Sequence, residues 1–426
     1  MSGRSGRARP RAAVVGSGVA GLTAAYLLER AYDVTLYEAD DRLGGHAHTH
    51  DIDTGDGRLV TLDTGFIVHN AHAYPCLLRL FDELGVATRD TEMSMSVRCE
   101  GCGLEYAGAR GPLGLFPAAG SLARPAYLAM LAAIPIFYRN ARRLLSAPGQ
   151  DAITFGGFLA RGRYRPYFVS HFAVPLVSAV WSCPPADALS YPARYLFEFL
   201  AHHGMLSMAR SAGWRTVVGG SRAYVEQIAK QLTSVRTGVP VRAVRRVPGG
   251  VDICSADGRA RRFSRVVVAT HPDQALRLLD PPTRAEREVL GAFRYTSSRV
   301  LLHTGTSLLP RAPAARASWN YLLPSCRGAV GQVTVSYHLN RLMGLAERAD
   351  YLVTLNAAGR VRPDRVLARM TYRHPLYTVG SVAAQQRLAG LNTPVVAYAG
   401  AYHGWGFHED GCRSGAQAAR SLGVAW

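Results

Sequence analysis

The sequence predicts an α/β fold: a discontinuous parallel-sheet domain interrupted by a second domain of α+β character. Three observations carry this expectation. A short apolar strand, 12–15, runs into Gly16-Ser17-Gly18-Val19-Ala20-Gly21 and then into a helical pattern with Leu22, Ala25, Tyr26 and Leu28. A second strand, 34–37, ends on Glu38, 22 residues past Gly16. Two more buried-strand patterns, 265–270 and 395–399, return after long excursions. Each piece of the first unit has a mechanical reason. Gly16 permits the tight turn, Gly18 lets backbone approach a pyrophosphate, and Gly21 lets helix and strand pack closely. The helix start at Val19 and Ala20 offers free N–H groups and the positive end of its dipole to that phosphate. Glu38 can accept hydrogen bonds from a ribose. A bare GxGxxG in a glycine-rich chain is weak evidence. Glycines between two strands, with an acid closing the second, define a Rossmann-like dinucleotide site.

Length and composition set the outer limits. A chain of 426 residues has room for two domains with substantial cores, and 48% hydrophobic with 19% charged content argues against bulk disorder. The net charge of +19 is almost entirely arginine, because Lys230 is the only lysine. GC-rich coding accounts for most of that preference, but the sign still favours anionic partners such as an acidic lipid surface or an acyl carrier. No nucleic-acid module is present, and the sequence gives no indication of oligomeric state. The first eleven residues are basic, lack an apolar segment and read as a loose tail, not a secretory signal. The apolar stretch 126–138 contains Pro135 and falls short of the roughly 20 residues a membrane-spanning helix needs. Seven scattered cysteines do not suggest a disulfide framework. The expectation is a cytoplasmic protein, with peripheral membrane contact as an extension of it.

Taken in order, 58–70 has strand character, and 74–84 reads as a helix capped by Gly85. The stretch 93–106 alternates around Gly101 and Gly103 as a hairpin. From 112 to about 210 the pattern is largely helical, and 122–145 reads as an ordinary helical pair, with a lipid-facing lid as the sharper alternative. Trp181-Ser182-Cys183-Pro184-Pro185 makes a rigid bend. The stretch 214–221 precedes a helix ending near Lys230. Strands 239–247 and 250–255 pair around a Pro-Gly-Gly turn. Stretches 299–303 and 331–337 read as strands of an antiparallel sheet, and 414–422 as a final helix. The expected division is a tail 1–11, a cofactor domain 12–72, 213–280 and 394–426, and a substrate domain 73–212 and 281–393.

Arg42-Leu43-Gly44-Gly45-His46, directly after the second strand, resembles the R-x-G-G segment of FAD enzymes with the amine-oxidase or phytoene-desaturase fold. From 12 to 422 the chain resembles bacterial amine-oxidase-like FAD proteins, most specifically through VVGSGVAGL, EADDRLGGHAHT, LDTGFIVHN, VVATHPDQAL, SWNYL and GAYHGWGFHEDGCRSG. Some relatives in that family desaturate methylated fatty acyl chains. The resemblance implies FAD as cofactor. It assigns the phosphate loop to Gly16, Gly18, Val19, Ala20 and Gly21, and the ribose to Glu38 and Ala39. Arg42, Gly44, Gly45 and His46 would pass along the flavin and its phosphates, with Thr64, Gly65 and Phe66 returning beside them. Val241 would lie on the adenine side, near Ala269 and Thr270. Gly400, Phe407, His408 and Gly411 would meet the flavin where a helix N-terminus near Gly411 stabilises negative charge on the reduced ring.

Departures from amine oxidases redirect the substrate expectation. Many of those enzymes carry a lysine that holds water at the flavin. Here the only lysine, Lys230, follows the middle cofactor segment, and Phe407 stands where their aromatic cage places tyrosine. Both point toward dehydrogenation of a lipophilic substrate such as a fatty acyl chain, with oxygen or another acceptor taking the electrons. The alternatives are amine oxidation, or redox-neutral isomerisation or cyclisation of a polyene or specialised metabolite. A non-enzymatic FAD-binding subunit is the outsider. His403, His408 and Tyr402 are the catalytic candidates, the histidines because imidazole can hold either protonation state near neutral pH. His46, His48 and His50 alternate, but no ligand-spaced partner accompanies them, so loop packing is expected and no metal. Cys99 and Cys102 form a lone CxxC without a second pair, which reads as coincidence in a hairpin. Trp319, Asn320, Tyr321, Tyr337 and Asn340 read mainly as structural, with a substrate-lining role as the alternative.

Overall fold

The computed structural model describes residues 9–149, 152–206, 213–327, 331–357 and 359–426. Residues 1–8 of the expected tail and 207–210 of the helical stretch lie outside them. Arg9 and Arg11 do not belong to a loose tail. Arg11 opens the first strand, Arg11–Val15, and a guanidinium nitrogen of Arg9 donates to Tyr32 O at 2.9 Å.

Five strands form one parallel sheet in the order Ser234–Arg236, Asp33–Tyr37, Arg11–Val15, Arg265–Val268, Val396–Tyr398. Their chain sequence, read across the sheet, runs third, second, first, fourth, fifth. That order places a topological switch beside the first strand, where ligands enter at the carboxyl ends. Apart from the edge strand Ser234–Arg236, the strands are buried along nearly their whole length, as a doubly covered parallel sheet requires. The helix Val19–Leu28 packs against the C-terminal helix His408–Ser421, and Gly411 and Gly415 make that contact possible. A Cβ at Gly411 would lie 2.5 Å from Val19 Cγ1, and one at Gly415 would lie 2.3 Å from Ala20 O.

The last helix therefore begins six residues before the expected 414. Gly411 is not at a strand-to-helix junction; its N–H is already bonded to Phe407 O at 3.1 Å. Glycines at 404, 406 and 411 hid the helix start from the sequence pattern. The crossover expected as a strand pair is a three-stranded antiparallel sheet, Val241–Val247, Gly250–Ser255 and Ala260–Phe263.

The second sheet has seven strands in the order Val366–Leu376, Arg294–His303, Leu352–Leu355, Thr334–His338, Trp319–Leu323, Met95–Cys99, Glu105–Ala107. It is antiparallel except where Trp319–Leu323 runs parallel to Met95–Cys99. A helical layer, from Pro125–Ser146 to Ala193–His202, covers one face around Phe137, Phe155 and Phe197.

The stretch expected as a helical pair is one helix, Pro125–Ser146, continuous through Pro135. Tyr127, Met130, Phe137, Ala141 and Leu144 recur at helical spacing and are all buried. That stripe outweighs the hydrogen bond Pro135 cannot donate. No helix among the described residues is long and apolar enough to cross a membrane.

Candidate cofactor and active site

The site is built at the sheet's switch point. Gly16, with φ +100°, donates to Tyr37 O at 2.8 Å, and a Cβ there would press on Ala269 O at 2.8 Å. Only glycine takes both the angle and the contact. A Cβ at Gly21 would lie 1.9 Å from Gly16 O, so helix and strand touch through this residue. Gly18 differs in kind. It precedes the helix at φ −63°, and a Cβ there would meet nothing within 4 Å. The helix's first N–H groups, on Val19, Ala20 and Gly21, face the same opening, a ready anion site.

Glu38 closes the second strand as expected. Its Oε2 accepts from Ser17 N at 2.9 Å and Ser17 Oγ at 2.5 Å, and Oε1 accepts from Asp40 N at 3.0 Å. An ionised carboxylate retains lone pairs for a ribose beyond these bonds. Val239 N donates to Glu38 O at 3.0 Å, which brings the Val241 strand alongside Glu38 and Ala39.

The Arg42–His46 segment lies directly on the phosphate loop. Gly44 N donates to Ser17 O at 3.1 Å, and a Cβ at Gly45, φ +58°, would lie 3.2 Å from Gly18 Cα. Phe66 N donates to His46 O at 2.7 Å, and a Cβ at Gly65 would overlap His46 O at 2.0 Å. Thr64 Oγ1 bonds the Tyr372 hydroxyl at 2.7 Å. The neighbouring Asp63 is not aimed at the cofactor. It accepts from Ser221 N at 2.8 Å and Thr49 Oγ1 at 2.6 Å, anchoring the start of helix Arg222–Ala229. Burial pushes its carboxyl up to about 6.

On the far side Ala269 N donates to Val15 O at 2.8 Å, Thr270 follows, and Gly400 N donates to Ser414 Oγ at 2.9 Å. Phe407 ends the glycine-rich loop, its ring stacked on Phe199 at 4.6 Å. Asp410 Oδ2 accepts from Phe407 N at 3.1 Å. The N–H groups of the first helical turn after Phe407 are thus the free dipole end, three residues earlier than Gly411.

The catalytic candidates separate. His403 Nε2 is buried without a protein partner, and burial lowers its imidazole to about 4. Tyr402 is 1% exposed, packs edge-on to Phe293 at 5.4 Å, and has a buried hydroxyl without a protein partner. His408 leaves the proton-transfer set. Its ring stacks on Phe66 at 3.7 Å, its Nε2 lies 3.3 Å from the Tyr224 hydroxyl, and burial drives its pKa well below the ordinary value.

The alternating histidines also divide. His48 Nδ1 bonds Tyr372 OH at 2.9 Å and its ring lies 4.2 Å from His50. His46 instead faces His374 at 5.5 Å and His271 at 6.4 Å. His374 and His271 were not among the residues expected here, because they come from segments more than 200 residues downstream of His46. The only local cue was the Thr-His-Pro that ends the fourth parallel strand. His46 Nε2, His271 Nδ1, His374 Nδ1, Tyr402 OH and His403 Nε2 are all buried and unpartnered by protein. Such groups are costly unless something bonds them. Together with the open face at Gly18, they fit a long ligand with polar edges, as FAD has. Burial holds His46 at about 4, and His271 and His374 at about 3, so this lining is neutral near pH 7.

Asn320 and Asn340 are structural: each amide donates and accepts within the protein, Asn320 to and from Ala317 and from Ser96, and Asn340 to Ala349 and from Tyr351. Tyr321 is buried in the core, whereas half-buried Trp319 and Tyr337 form an edge-on pair at 5.3 Å. The Cys99–Cys102 pair does not stand alone: His171 and Cys326 converge on it.

Comparison with known proteins agrees with this geometry. Residues 19–309 match the model of the flavin containing amine oxidoreductase family. A carotenoid phi-ring synthase of Streptomyces griseus is 30% identical over 294 residues, 65% of this chain; the chain spans 56% of that relative's length. A putrescine oxidase triple mutant superposes with a TM-score of 0.68 at 18% identity, covering 97% of this chain and 98% of that one. A CLA-producing fatty acid isomerase from P. acnes gives 0.68 at 19% identity, covering 95% and 97%. At these identities the two structures speak for the fold alone. The chain belongs to the flavin-containing amine oxidoreductases. It is a flavin-dependent oxidoreductase, and its cofactor is FAD.

Proposed function

We propose that this enzyme removes hydride from a lipophilic substrate, with a fatty acyl or other long apolar chain as the expected class. The observation that carries the proposal is the uncharged aromatic wall beside Phe407. Trp181, Phe199, Trp405 and Phe407 pack with ring centroids 4.6–6.2 Å apart along the sequence Trp181–Phe199–Phe407 and Phe199–Trp405. The adjoining His203 is held at about 4 by burial, and so adds no charge near neutral pH. Lys230, the only lysine, is exposed at the end of helix Arg222–Ala229. The wall therefore offers an apolar surface, with nothing placed like the flavin-side lysine of amine oxidases.

Bound FAD supplies the hydride acceptor; the protein's part is to align one C–H bond and exclude water. The substrate loses hydride and proton together, and oxygen or another acceptor then takes the two electrons. His403 is the side chain that supports a proton-accepting role, through its unpartnered Nε2 beside Tyr402. A groove of about 470 Å³ bordered by Leu145, Glu198, Ala201, His202 and Trp405, with Glu198 its one carboxylate, opens against the aromatic wall and supports an entry route. Leu113, Leu122, Leu128 and Ile136 are exposed on and before helix Pro125–Ser146, which supports contact with an apolar or lipid surface. The carotenoid-acting relative supports the same substrate polarity.

Anaerobic flavin bleaching tests the proposal. A lipid extract and a polar amine fraction are offered separately to the holoenzyme. Bleaching by lipid alone is expected. Bleaching by amines alone would refute it.

A further inference from the structure

We propose that Cys99, Cys102, His171 and Cys326 form a structural zinc site that fastens the helical layer to the edge of the seven-stranded sheet. This inference is independent of the substrate reading. The four ligand atoms all lie within 4.8 Å of one another. Cys99 Sγ and Cys326 Sγ are 3.8 Å apart, and Cys102 Sγ is 3.7 Å from His171 Nε2. With Zn–S near 2.3 Å and Zn–N near 2.0–2.1 Å, the edges of a tetrahedral site are about 3.5–3.8 Å. These two edges match that polyhedron.

The surroundings prepare the ligands. His171 sits on a π-helical turn, Val169–Ala173, inside an otherwise α-helical stretch. Such turns recur at functional positions because they re-aim one side chain. His171 Nδ1 lies 3.1 Å from Tyr167 O and 2.8 Å from Ser170 Oγ. The carbonyl can only accept, so the proton belongs on Nδ1 and the Nε2 lone pair faces Cys102. Outer hydrogen bonds of this kind orient histidines that bind metal. Tyr167 stacks on the imidazole at 3.8 Å and brings its hydroxyl to 3.7 Å from Cys102 Sγ. Arg124 donates to Cys102 O at 2.7 Å, a cation beside a site whose three thiolates, imidazole and Zn²⁺ sum to −1.

The loops are fitted to each other. Glu100 N donates to Leu323 O at 2.8 Å and Cys99 N to Leu104 O at 2.8 Å. A Cβ at Gly101 would lie 2.9 Å from Cys326 N and 3.1 Å from Ser325 Cα. Glycine at that position lets the Cys326 loop close over the Cys99–Cys102 turn. A disulfide is not the arrangement present, since 3.8 Å is far beyond an S–S bond of about 2.05 Å. Three of the chain's seven cysteines meet here.

With four protein ligands the site is closed, which is the structural and not the catalytic pattern. It joins segments 69 and 227 residues apart in the chain. Helix Val174–Trp181 continues directly from the π turn and ends on Trp181, whose Nε1 donates to Trp405 O at 3.0 Å. Zinc would therefore also steady the aromatic wall.

The test is elemental analysis of untagged, FAD-loaded protein grown with zinc, followed by cobalt exchange. About one zinc per chain is expected, with intense thiolate-to-cobalt absorption after exchange. Cys326→Ser should lower retained zinc at least tenfold after dialysis against a chelator, while Cys254→Ser should retain it. FAD content reports that each variant is folded. If Cys326→Ser does not fold, the cobalt spectrum of the unsubstituted protein decides. Zinc below a tenth of an equivalent with no uptake by the reduced protein would overturn the proposal. So would cobalt binding without thiolate absorption, equal retention by a folded Cys326→Ser, or a Cys99–Cys326 or Cys99–Cys102 disulfide in protein purified without reductant.

Discussion

Gly18→Ala separates the needs of the fold from those of the cofactor. The added methyl would meet nothing within 4 Å, and φ −63° suits alanine. Alanine restricts the unfolded chain, a gain of about 0.4–1 kcal/mol. It also caps a helix less well than glycine, which offsets much of that gain. The apoprotein should keep its stability within about 1 kcal/mol. FAD binding should respond differently, because the open face at Gly18 is where the pyrophosphate must approach the N–H groups of Val19 and Ala20. Displacing it forfeits one or two charge-assisted hydrogen bonds, each worth about 1.5–3 kcal/mol. A loss of 2.7 kcal/mol corresponds to about 100-fold in Kd, with a larger loss if both bonds go. Quenching of flavin fluorescence on titration into apoprotein gives the affinity, and urea unfolding of the apoprotein gives the stability. Gly21→Ala supplies the contrast: its Cβ would lie 1.9 Å from Gly16 O, so the fold itself should fail. Unchanged FAD affinity in Gly18→Ala, with the fold intact, would refute the placement of the phosphate.

Further outcomes follow from buried charge. Glu409 accepts from Cys76 N at 3.1 Å and Leu77 N at 3.0 Å, and so caps helix Pro75–Leu84 from the C-terminal segment. Glu409→Ala should cost about 2–4 kcal/mol in urea unfolding, and Glu409→Gln about half that; a change under about 0.5 kcal/mol would refute the capping role. Asp63→Asn should cost about 1–3 kcal/mol by weakening the bonds to Ser221 and Thr49, again measured by urea unfolding. The apoprotein should lose stability on acidification. His46 and His403 are held at about 4, and His271 and His374 at about 3, all below the unfolded value of 6.5. The unfolded chain thus binds more protons below pH 6.5, and stability falls as pH drops toward 4, by roughly 1 kcal/mol per histidine at pH 5.5. Asp63 and Asp410, raised to about 6, act in the opposite direction, but they are fewer and less shifted. Thermal melts of apoprotein between about pH 7.5 and 5 check the sign, and a rising Tm would refute it.

The parts of this protein legible in its sequence are those in which one short segment does the whole job. The phosphate loop, Glu38 and the fitted glycines at 44 and 45 lie within 30 residues, and their spacing alone sets the turn, the helix and the acid. The helix capped by Gly85 was legible for the same reason: its αL terminus at φ 65° and its apolar stripe are local. Misreadings arose where distant packing overrode a local signal. The stretch 122–145 reads as a helical pair, but the buried stripe from Tyr127 to Leu144 holds one continuous helix together. The helix N-terminus expected near Gly411 lies three residues earlier, at His408, and Gly411 is a helical residue cut to fit Val19, nearly 400 positions earlier.

The same distinction explains why the Cys99–Cys102 pair looked incidental. A CxxC is judged from sequence by a nearby second half. Here that half is divided between a π turn and a loop on the far side of the parallel strand pairing Trp319–Leu323 with Met95–Cys99. That pairing is itself non-local, and it carries Leu323 O to Glu100 N and so Cys326 toward Cys99. Removing the register by one residue would turn Cys99 to the other face of the strand. The cluster therefore depends on the sheet's register, and zinc bound there would in turn fix that register. Both follow from the same four side chains, which no local pattern in the sequence brings together.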